Sequence, residues 1–257
     1  MNQKLIYKTE IDSEIKTGIC VYDLHHPFHQ KTLWENILKI TADLKPDYFI
    51  FGGDNLDMDS VNHWDIENGN RRGMEGKRLK KNYDDFNEQI LDPLIKLLPD
   101  STRKIFMLGN HCQWLEQYID KIPELEGFAE IERNLNLKDW KIIPYRQTIK
   151  IGKIYFHHGE YTSKYHAAKM VDVYERNIVY GHLHTAQSFT KVTPVDGEAH
   201  CAISIPCACD MNPRYMKDKP SAWVNGFGIF YIHPDNNFNI YTVISTKGHF
   251  VWNSKRY

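Results

Sequence analysis

Short apolar runs alternate with amphipathic stretches along the first half of the chain. Residues 18–22 (GICVY) form one run, and residues 48–51 (YFIF) form an aromatic and β-branched run that stops at two glycines. Between them, apolar residues recur at helical spacing from about 31 to 44. This pattern predicts a strand, a helix and a second strand.

A second helix and a third strand follow a long polar segment. Apolar residues spaced by four, three and four predict one face of a helix, namely Leu79, Tyr83, Phe86 and Ile90. Because proline has no amide hydrogen, we expect this helix to end near Pro93. Residues 104–108 (KIFML) then predict a strand that is again followed by a glycine.

The rest of the chain is predicted to be mainly strand. Apolar runs occur at 141–143, 154–156 and 178–180, and β-type runs follow at 202–205, 228–232 and 240–244. The order βαβαβ followed by β-rich sequence predicts a layered α/β sandwich. No repeat or linker divides the sequence, so we expect a single domain over residues 1–257. A polar and basic segment at about 58–81 is expected to form a cap-like insertion.

Composition excludes several classes of protein. The 257 residues include 32 Lys plus Arg against 33 Asp plus Glu, a balance that argues against a generic polyanion-binding protein. With 42% hydrophobic residues, the chain is too apolar to be disordered. No apolar run approaches the roughly 18 residues of a membrane-spanning helix, and the first residues lack the apolar core of a signal peptide. The five cysteines form no CxxC pair, so we expect reduced thiols in a cytoplasmic protein.

The chain also contains 13 histidines, and several of them follow apolar runs. Five segments share this placement: Asp23-Leu24-His25, Gly53-Asp54-Asn55-Leu56-Asp57, Gly109-Asn110-His111, His158-Gly159 and Gly181-His182-Leu183-His184. Loops beyond the carboxyl ends of parallel strands converge on one site, and side chains two residues apart in extended backbone point the same way. One such segment alone is more often an ordinary turn, but five in order indicate a shared site.

This motif series, D-x-H, G-D-x-x-D, G-N-H, H-G and G-H-x-H, resembles the calcineurin-like metallophosphoesterase superfamily over about residues 21–184. The resemblance implies a layered α/β/β/α sandwich of two mixed β-sheets flanked by helices, with a dimetal site at the strand C-terminal ends. It implies that one metal ion is held by Asp23, His25, Asp54 and His184. The second would be held by Asp54, Asn110, His158 and His182, so that Asp54 bridges the two ions.

The donor types agree with this implication. Carboxylate, imidazole and amide oxygen suit divalent ions, of which we expect Mn²⁺, with Fe²⁺, Zn²⁺ or Ni²⁺ as alternatives. Two such ions can clamp a phosphoryl group, and the resemblance implies a metal-bridging hydroxide as the nucleophile. It also implies that His111 is a general acid or transition-state stabiliser oriented by Asp57. The alternative for Asp57 is an ordinary turn or helix-start acid.

One residue departs from the family pattern, and two further histidines lie just past its first motif. Cys112 stands where the family usually has an acid, and we expect a buried structural thiol, since a nucleophilic cysteine would need a base that the sequence does not supply. His26 and His29 follow the first motif, and we expect both on a solvated loop, with an approach to the substrate as the alternative.

The expected substrate is a phosphodiester, so the protein would be a nuclease or a nucleotide phosphodiesterase acting on DNA, RNA or a nucleotide. Arg71, Arg72 and Arg78 in the segment 58–81 are candidate phosphate contacts, because arginine binds phosphate through two parallel hydrogen bonds. The alternative is a solvated helix face. Two other functions stay open, a phosphomonoesterase acting on a small molecule and a non-catalytic metal-binding adaptor with the same fold. The sequence leaves the oligomeric state open.

Overall fold

The structure is a computed structural model that describes residues 14–62, 69, 75–195, 197–213, 216 and 221–257. In chain order its elements are β1 (Lys16–Val21), α1 (Lys31–Leu44), β2 (Tyr48–Phe51), α2 (Leu79–Phe86), a π-helical turn (Asn87–Leu91), α3 (Asp92–Ile95), β3 (Arg103–Met107), α4 (Asn110–Lys121), a 3-10 turn (Pro123–Leu125), α5 (Ile131–Asn134), β4 (Trp140–Ile143), β5 (Ile149–Ile151), β6 (Ile154–Phe156), α6 (His166–Tyr174), β7 (Asn177–Tyr180), β8 (Gln187–Val192), β9 (Ala199–Ser204), β10 (Gly226–Ile232), β11 (Phe238–Ile244), β12 (Val251–Trp252) and β13 (Lys255–Arg256).

The strands form two mixed sheets and a small hairpin. The first sheet has the order β11-β10-β1-β2-β3-β4, and the second has the order β5-β6-β7-β9-β8. Strands β1 to β4 pair in parallel, whereas β10 and β11 join as antiparallel strands. In the second sheet β6, β7 and β9 are parallel, and the two edge strands are antiparallel. Strands β12 and β13 form the hairpin.

Alternation along the strands builds the layers. In β1, Cys20 belongs to the core between the two sheets, whereas Ile19 and Val21 belong to the core that also holds α1. The inter-sheet core also includes Phe156 from β6 and Phe230 from β10. Because successive side chains of a strand point to opposite faces, both faces of the first sheet are apolar. The result is the α/β/β/α sandwich predicted from the sequence, and this prediction is confirmed.

Helices cover the outer face of each sheet. Helix α1 buries Leu33, Ile37 and Ile40 against the first sheet, and its first turn is capped by Gln30, whose side chain accepts a hydrogen bond from Leu33 N at 2.8 Å. Helix α6 covers the second sheet through a separate apolar cluster. Within the described ranges, no helix is long and apolar enough to cross a membrane.

The helical stretch that starts at Leu79 ends at Ile95, two residues past the predicted end near Pro93. A π-helical turn follows α2, and the chain stays helical through Pro93 to the end of α3. In an α-helix the carbonyl of Gln89 would accept from the amide of residue 93, which proline lacks. Here the indole Nε1 of Trp34 donates to that carbonyl at 3.2 Å. A tertiary hydrogen bond thus satisfies the carbonyl that the proline leaves free.

The inter-sheet core generates the first prediction. Phe230→Ala removes a fully buried ring between the sheets, so we expect the free energy of unfolding to fall by about 3–5 kcal/mol. Urea unfolding followed by circular dichroism measures this change. Phe128→Ala is the control, because Phe128 is 77% exposed and its loss is expected to change the value by less than about 0.5 kcal/mol. Equal effects of the two substitutions would contradict the assigned core.

Candidate metal centre

The five motif segments meet at one edge of the sandwich, just past the ends of β1, β2, β3, β6 and β7. Backbone hydrogen bonds continue beyond the strands and fix the segments to one another. Asp23 N donates to Gly53 O at 3.1 Å, and His25 N donates to Asp54 O at 2.9 Å. Gly181 N donates to the carbonyl of His158 at 2.7 Å. The sheets therefore set the positions of the site loops.

Five candidate ligands have left-handed backbone. The φ angles are 51° at Asp23, 50° at His25, 46° at Asp54, 73° at His182 and 58° at His184. Asp and His adopt this region more readily than β-branched residues do, but it remains sparsely populated. Such strain, of order 1–3 kcal/mol per residue, persists where the surrounding structure enforces it and is concentrated at functional sites.

Two glycines leave room for the carboxylates. A Cβ at Gly109 would lie 2.0 Å from Asp54 Oδ1, and one at Gly181 would lie 2.5 Å from Asp23 Oδ2. No side chain fits at either position without displacing a candidate ligand. The glycines of the G-N-H and G-H-x-H motifs thus allow the chain to pack closely against the site carboxylates.

Asp23, His25 and His184 form the first donor group, with all ligand atoms within 4.8 Å of one another. His25 Nε2 and His184 Nε2 are 3.2 Å apart, and His184 Nε2 is 3.7 Å from Asp23 Oδ1. Asp23 Oδ1 is buried and has no hydrogen-bond partner among the described residues. Three donors from two strand ends, those of β1 and β7, therefore lie close together.

Asp54, His158 and His182 form the second group, again within 4.8 Å. His158 Nε2 lies 3.0 Å from Asn110 Oδ1 and 3.3 Å from Asp54 Oδ2. The rings of His158 and His182 are 5.2 Å apart. Asn110, predicted from the G-N-H motif, therefore lies with this group.

Asp54 lies between the two groups. Its Oδ2 is 3.3 Å from His158 Nε2 and 4.0 Å from His25 Nε2, while its Oδ1 accepts a hydrogen bond from His111 N at 2.9 Å. One carboxylate thus faces donors of both groups, as a bridging ligand must.

These donors fit divalent metal ions. Imidazole nitrogens bind zinc-like ions at about 2.0–2.1 Å, so two of them on one ion lie roughly 3 Å apart, close to the separation of His25 and His184. A buried carboxylate oxygen without a partner, such as Asp23 Oδ1, is costly unless a cation or donor faces it. Each group also mixes oxygen and nitrogen donors, which suits Mn²⁺, Fe²⁺ or Zn²⁺.

Protonation differs across the cluster. Burial would raise the pKa of the Asp54 carboxyl, but the nearby charges of His158 and His111 hold it well below its usual range. Burial raises the pKa of Asp23 to about 6. Burial and the charge of His158 lower the pKa of His182 to about 4, and burial takes that of His184 well below its usual value. Neutral imidazoles at His182 and His184 keep a lone pair for a metal ion.

His25 and His111 share Asp57, in a way that the sequence did not predict. The carboxylate Oδ1 of Asp57 accepts from His25 Nδ1 at 2.9 Å, which helps to raise the pKa of His25 to about 9 against the effect of burial. His111 Nδ1 instead donates to the main-chain carbonyl of Asp57 at 2.7 Å, and lies 3.5 Å from the carboxylate. Asp57 therefore orients both rings, one through its side chain and one through its backbone.

The neighbouring histidines differ in placement. His158 lies in the second donor group, whereas His157 points away and is 3.3 Å from the Tyr174 hydroxyl. The solvated loop expected for His26 and His29 is wrong, because both are buried and their rings stack at 5.2 Å. Backbone hydrogen bonds attach this segment to distant parts of the chain, since His26 N donates to Asn55 O and Gln30 N to Ala208 O.

Cys112 is buried on α4, as expected for a structural thiol. Burial raises the pKa of its thiol, so it is held as the weakly nucleophilic neutral form.

The arginine predictions stay open. Arg71 and Arg72 lie outside the described residues, as do residues 63–68 and 70–74 of the predicted cap at 58–81. Arg78 precedes α2, is exposed, and donates from Nη1 to the carbonyl of Lys77.

Three aromatic residues at the site were missed by sequence reasoning. The Trp114 ring lies 3.8 Å from that of His111, and the Trp223 ring 4.2 Å from that of His184. Tyr145 lies 6.2 Å from His158, with the Arg146 guanidinium over its outer face. Only Trp114 carried a usable signal, because it follows His111 by three residues, the spacing of neighbours on a helix.

Comparison with known proteins gives a family match over most of the chain. A family model described as calcineurin-like phosphoesterase matches residues 23–226, and a search of curated proteins finds no match. Similar solved structures include a conserved uncharacterized protein of Streptococcus pneumoniae TIGR4, described as a predicted phosphoesterase (14% identity, 95% of this chain and 98% of that chain, TM-score 0.40). Chaetomium thermophilum Vps29 is also similar, at 12% identity over 90% of this chain and 99% of that chain, with a TM-score of 0.42. Pseudomonas putida nuclease MPE matches at 11% identity over 85% of this chain and 84% of that chain, with a TM-score of 0.33. Identities and TM-scores this low say nothing about substrate.

The placement of Asp54 between the groups gives a second prediction. Asp54→Ala removes the only carboxylate that faces both donor groups of the described site, so we expect loss of both bound metal ions. Atomic emission analysis of protein dialysed with Mn²⁺ measures the stoichiometry. Asp59→Ala is the matched control, since Asp59 is a buried carboxylate paired with Lys77 at 3.3 Å and is expected to leave the metal content unchanged. Two ions retained by Asp54→Ala would exclude the bridging role.

Proposed function

Because this chain belongs to the calcineurin-like phosphoesterase family, whose members are dimetal-dependent phosphoester hydrolases, we propose that it hydrolyses phosphodiester bonds of nucleotides or nucleic acids. The observation that carries the proposal is the pair of donor groups with Asp54 between them. The protein would then be either a nuclease or a nucleotide phosphodiesterase.

We assign the ligands to two ions. Asp23, His25 and His184 would hold the first ion, and Asn110, His158 and His182 the second, with Asp54 shared between them. The distances among these atoms support the assignment. Mn²⁺ is the proposed metal, because most of the donors are hard or borderline. When bound, two divalent ions supply Lewis-acid activation of water and of the phosphoryl oxygens.

His111 acts beside the ions rather than as a ligand. Its Nδ1 hydrogen bond to the Asp57 carbonyl fixes the ring, so that Nε2 is the atom that faces the site, 3.9 Å from Asp54 Oδ2. Because Nδ1 carries the proton given to Asp57, Nε2 donates only in the imidazolium form. In that form it can donate a hydrogen bond to a phosphoryl oxygen or a proton to the leaving group. Trp114 packs on the ring and limits its rotation.

Aromatic rings around the centre support a substrate that carries a base. Trp114, Trp223 and Tyr145 each contact a different site histidine and each remains partly exposed. Aromatic side chains stack on nucleobases at about 1–3 kcal/mol per base. The Arg146 guanidinium lies over Tyr145 and is paired with the Glu160 carboxylate at 3.5 Å. A simple phosphomonoester would use the ions but not these rings.

The five cysteines are all free. Reduced thiols are typical of the cytoplasm, and we propose that location for the protein.

Activity gives the third prediction. With Mn²⁺ the protein should hydrolyse bis-p-nitrophenyl phosphate, and EDTA should stop the reaction. His111→Ala should lower kcat by about 10²–10⁴-fold with unchanged metal content, because a proton donor is lost and no ligand is. His200→Ala, on β9, is the control and should retain activity. Loss of metal in His111→Ala would make His111 a ligand, and a wild-type protein that binds Mn²⁺ without turnover on any diester or monoester would favour the adaptor.

Base recognition gives the fourth prediction. Trp114→Leu should lower kcat/KM for the p-nitrophenyl ester of thymidine 5′-monophosphate about 5- to 150-fold more than for methyl p-nitrophenyl phosphate, which has no base. An effect of the substitution through His111 cancels in the ratio of the two substrates. Trp252→Leu, on the distant hairpin, should leave the ratio unchanged. Equal losses on both substrates would remove the support for a nucleotide substrate.

A further inference from the structure

Two cysteines and the second ring nitrogen of His184 form another donor group behind the candidate metal centre. The ligand atoms of His184, Cys207 and Cys209 all lie within 4.8 Å of one another. The three residues are 6%, 0% and 1% exposed. None of the five motif segments includes either cysteine, and the proposed function leaves both without a role.

Backbone pairing explains why the two thiols lie together. Cys207 forms β-bridges with Tyr22 and Asn225, and Cys209 forms one with His29, so the segment between them is extended. Side chains two residues apart in extended backbone point to the same side. The segment is held in place because Ala208 N donates to Tyr22 O at 3.0 Å and Cys207 N to Val224 O at 3.1 Å.

His184 connects the two groups. Its Nε2 faces His25 Nε2 at 3.2 Å and Asp23 Oδ1 at 3.7 Å, whereas its Nδ1 lies 3.8 Å from Cys209 Sγ. A neutral imidazole has one nitrogen with a lone pair and one that carries the proton. The ring can therefore serve a metal ion on one side only, unless it loses both protons.

We propose that Cys207, Cys209 and His184 Nδ1 form a binding site for one thiophilic divalent ion, Zn²⁺ or Cd²⁺, and that occupation of this site withdraws His184 from the dimetal centre. Bonds of about 2.3 Å to sulfur and 2.0–2.1 Å to nitrogen let one ion reach both atoms across the 3.8 Å between Cys209 Sγ and His184 Nδ1. Two thiolates and an imidazole are a donor set that selects such ions over Mn²⁺.

The existing contacts of the thiols are weak enough to be exchanged. Cys207 Sγ donates to Val224 O at 3.4 Å and accepts from Asn225 Nδ2 at 3.7 Å. Binding replaces these contacts and releases the two thiol protons to solvent, since the thiolate is the ligand. The binding step stands on this cluster alone, whereas the inhibition that follows from it rests on the proposed function.

Cadmium absorption tests the thiol site. Metal-free, reduced full-length protein titrated with Cd²⁺ should develop an ultraviolet thiolate-to-cadmium charge-transfer band that saturates at one thiol-bound ion per chain. Cys207→Ser and Cys209→Ser should each lose most of the band, with folding checked by circular dichroism. Cys112→Ser is the matched control, because Cys112 is also a buried free thiol but is not part of the donor group of Cys207 and Cys209, and it should keep the band. Absence of the band in the wild type, or its persistence in both serine variants, would overturn the site.

Metal exchange tests the competition for His184. One equivalent of Cd²⁺ added to Mn²⁺-loaded protein should release Mn²⁺, measured by atomic emission, and should inhibit diester hydrolysis in parallel. In Cys209→Ser, release and inhibition should both be at least tenfold less sensitive to Cd²⁺. A full charge-transfer band with Mn²⁺ retained would overturn the competition while leaving the thiol site standing. A band and Mn²⁺ release in a protein that hydrolyses no phosphoester would support the inference and refute the proposed function instead.

Discussion

The buried carboxylate of Asp54 is the group on which the rest of the site depends. A buried negative charge is costly unless cations or donors surround it, and here His158, His111 and His25 approach it from three different strand ends. Its second oxygen is held by the amide of His111, and the chain at Gly109 passes so close that only glycine fits. The position of one side chain thus fixes how β2, β3 and β6 must end relative to one another.

The two sheets provide the rigidity that this arrangement needs. Left-handed residues at the strand ends carry strain, and a loop free to relax would relieve it by turning the side chains outward. Inter-loop hydrogen bonds such as His25 N to Asp54 O, together with the core between the sheets, prevent this relaxation. The packing of the two sheets therefore stabilises the site residues in a backbone conformation that they would not adopt alone.

The sequence predicted the layers and the ligand segments well because both depend on local pattern. Strand β2 and helix α1 have the predicted bounds, and the motif residues cluster because parallel strands carry them to one edge. Strand β8 was missed, since it is an exposed edge strand without alternation, and α4 was missed because its first turn is itself the G-N-H motif. Burial of His26 and the contact of Trp223 with His184 depend on pairing between distant segments, which no local pattern reports.

The strand order has a consequence for synthesis. Strand β10 lies beside β1 near the middle of the first sheet, yet residues 226–232 are made about 200 residues after residues 16–21. Because synthesis adds about 5–20 residues per second, the edge of β1 stays unpaired with β10 for about ten seconds or more. During that time the nascent sheet offers unpaired amide and carbonyl groups to any passing strand, so rapid capture of the emerging chain by a chaperone would guard it against aggregation.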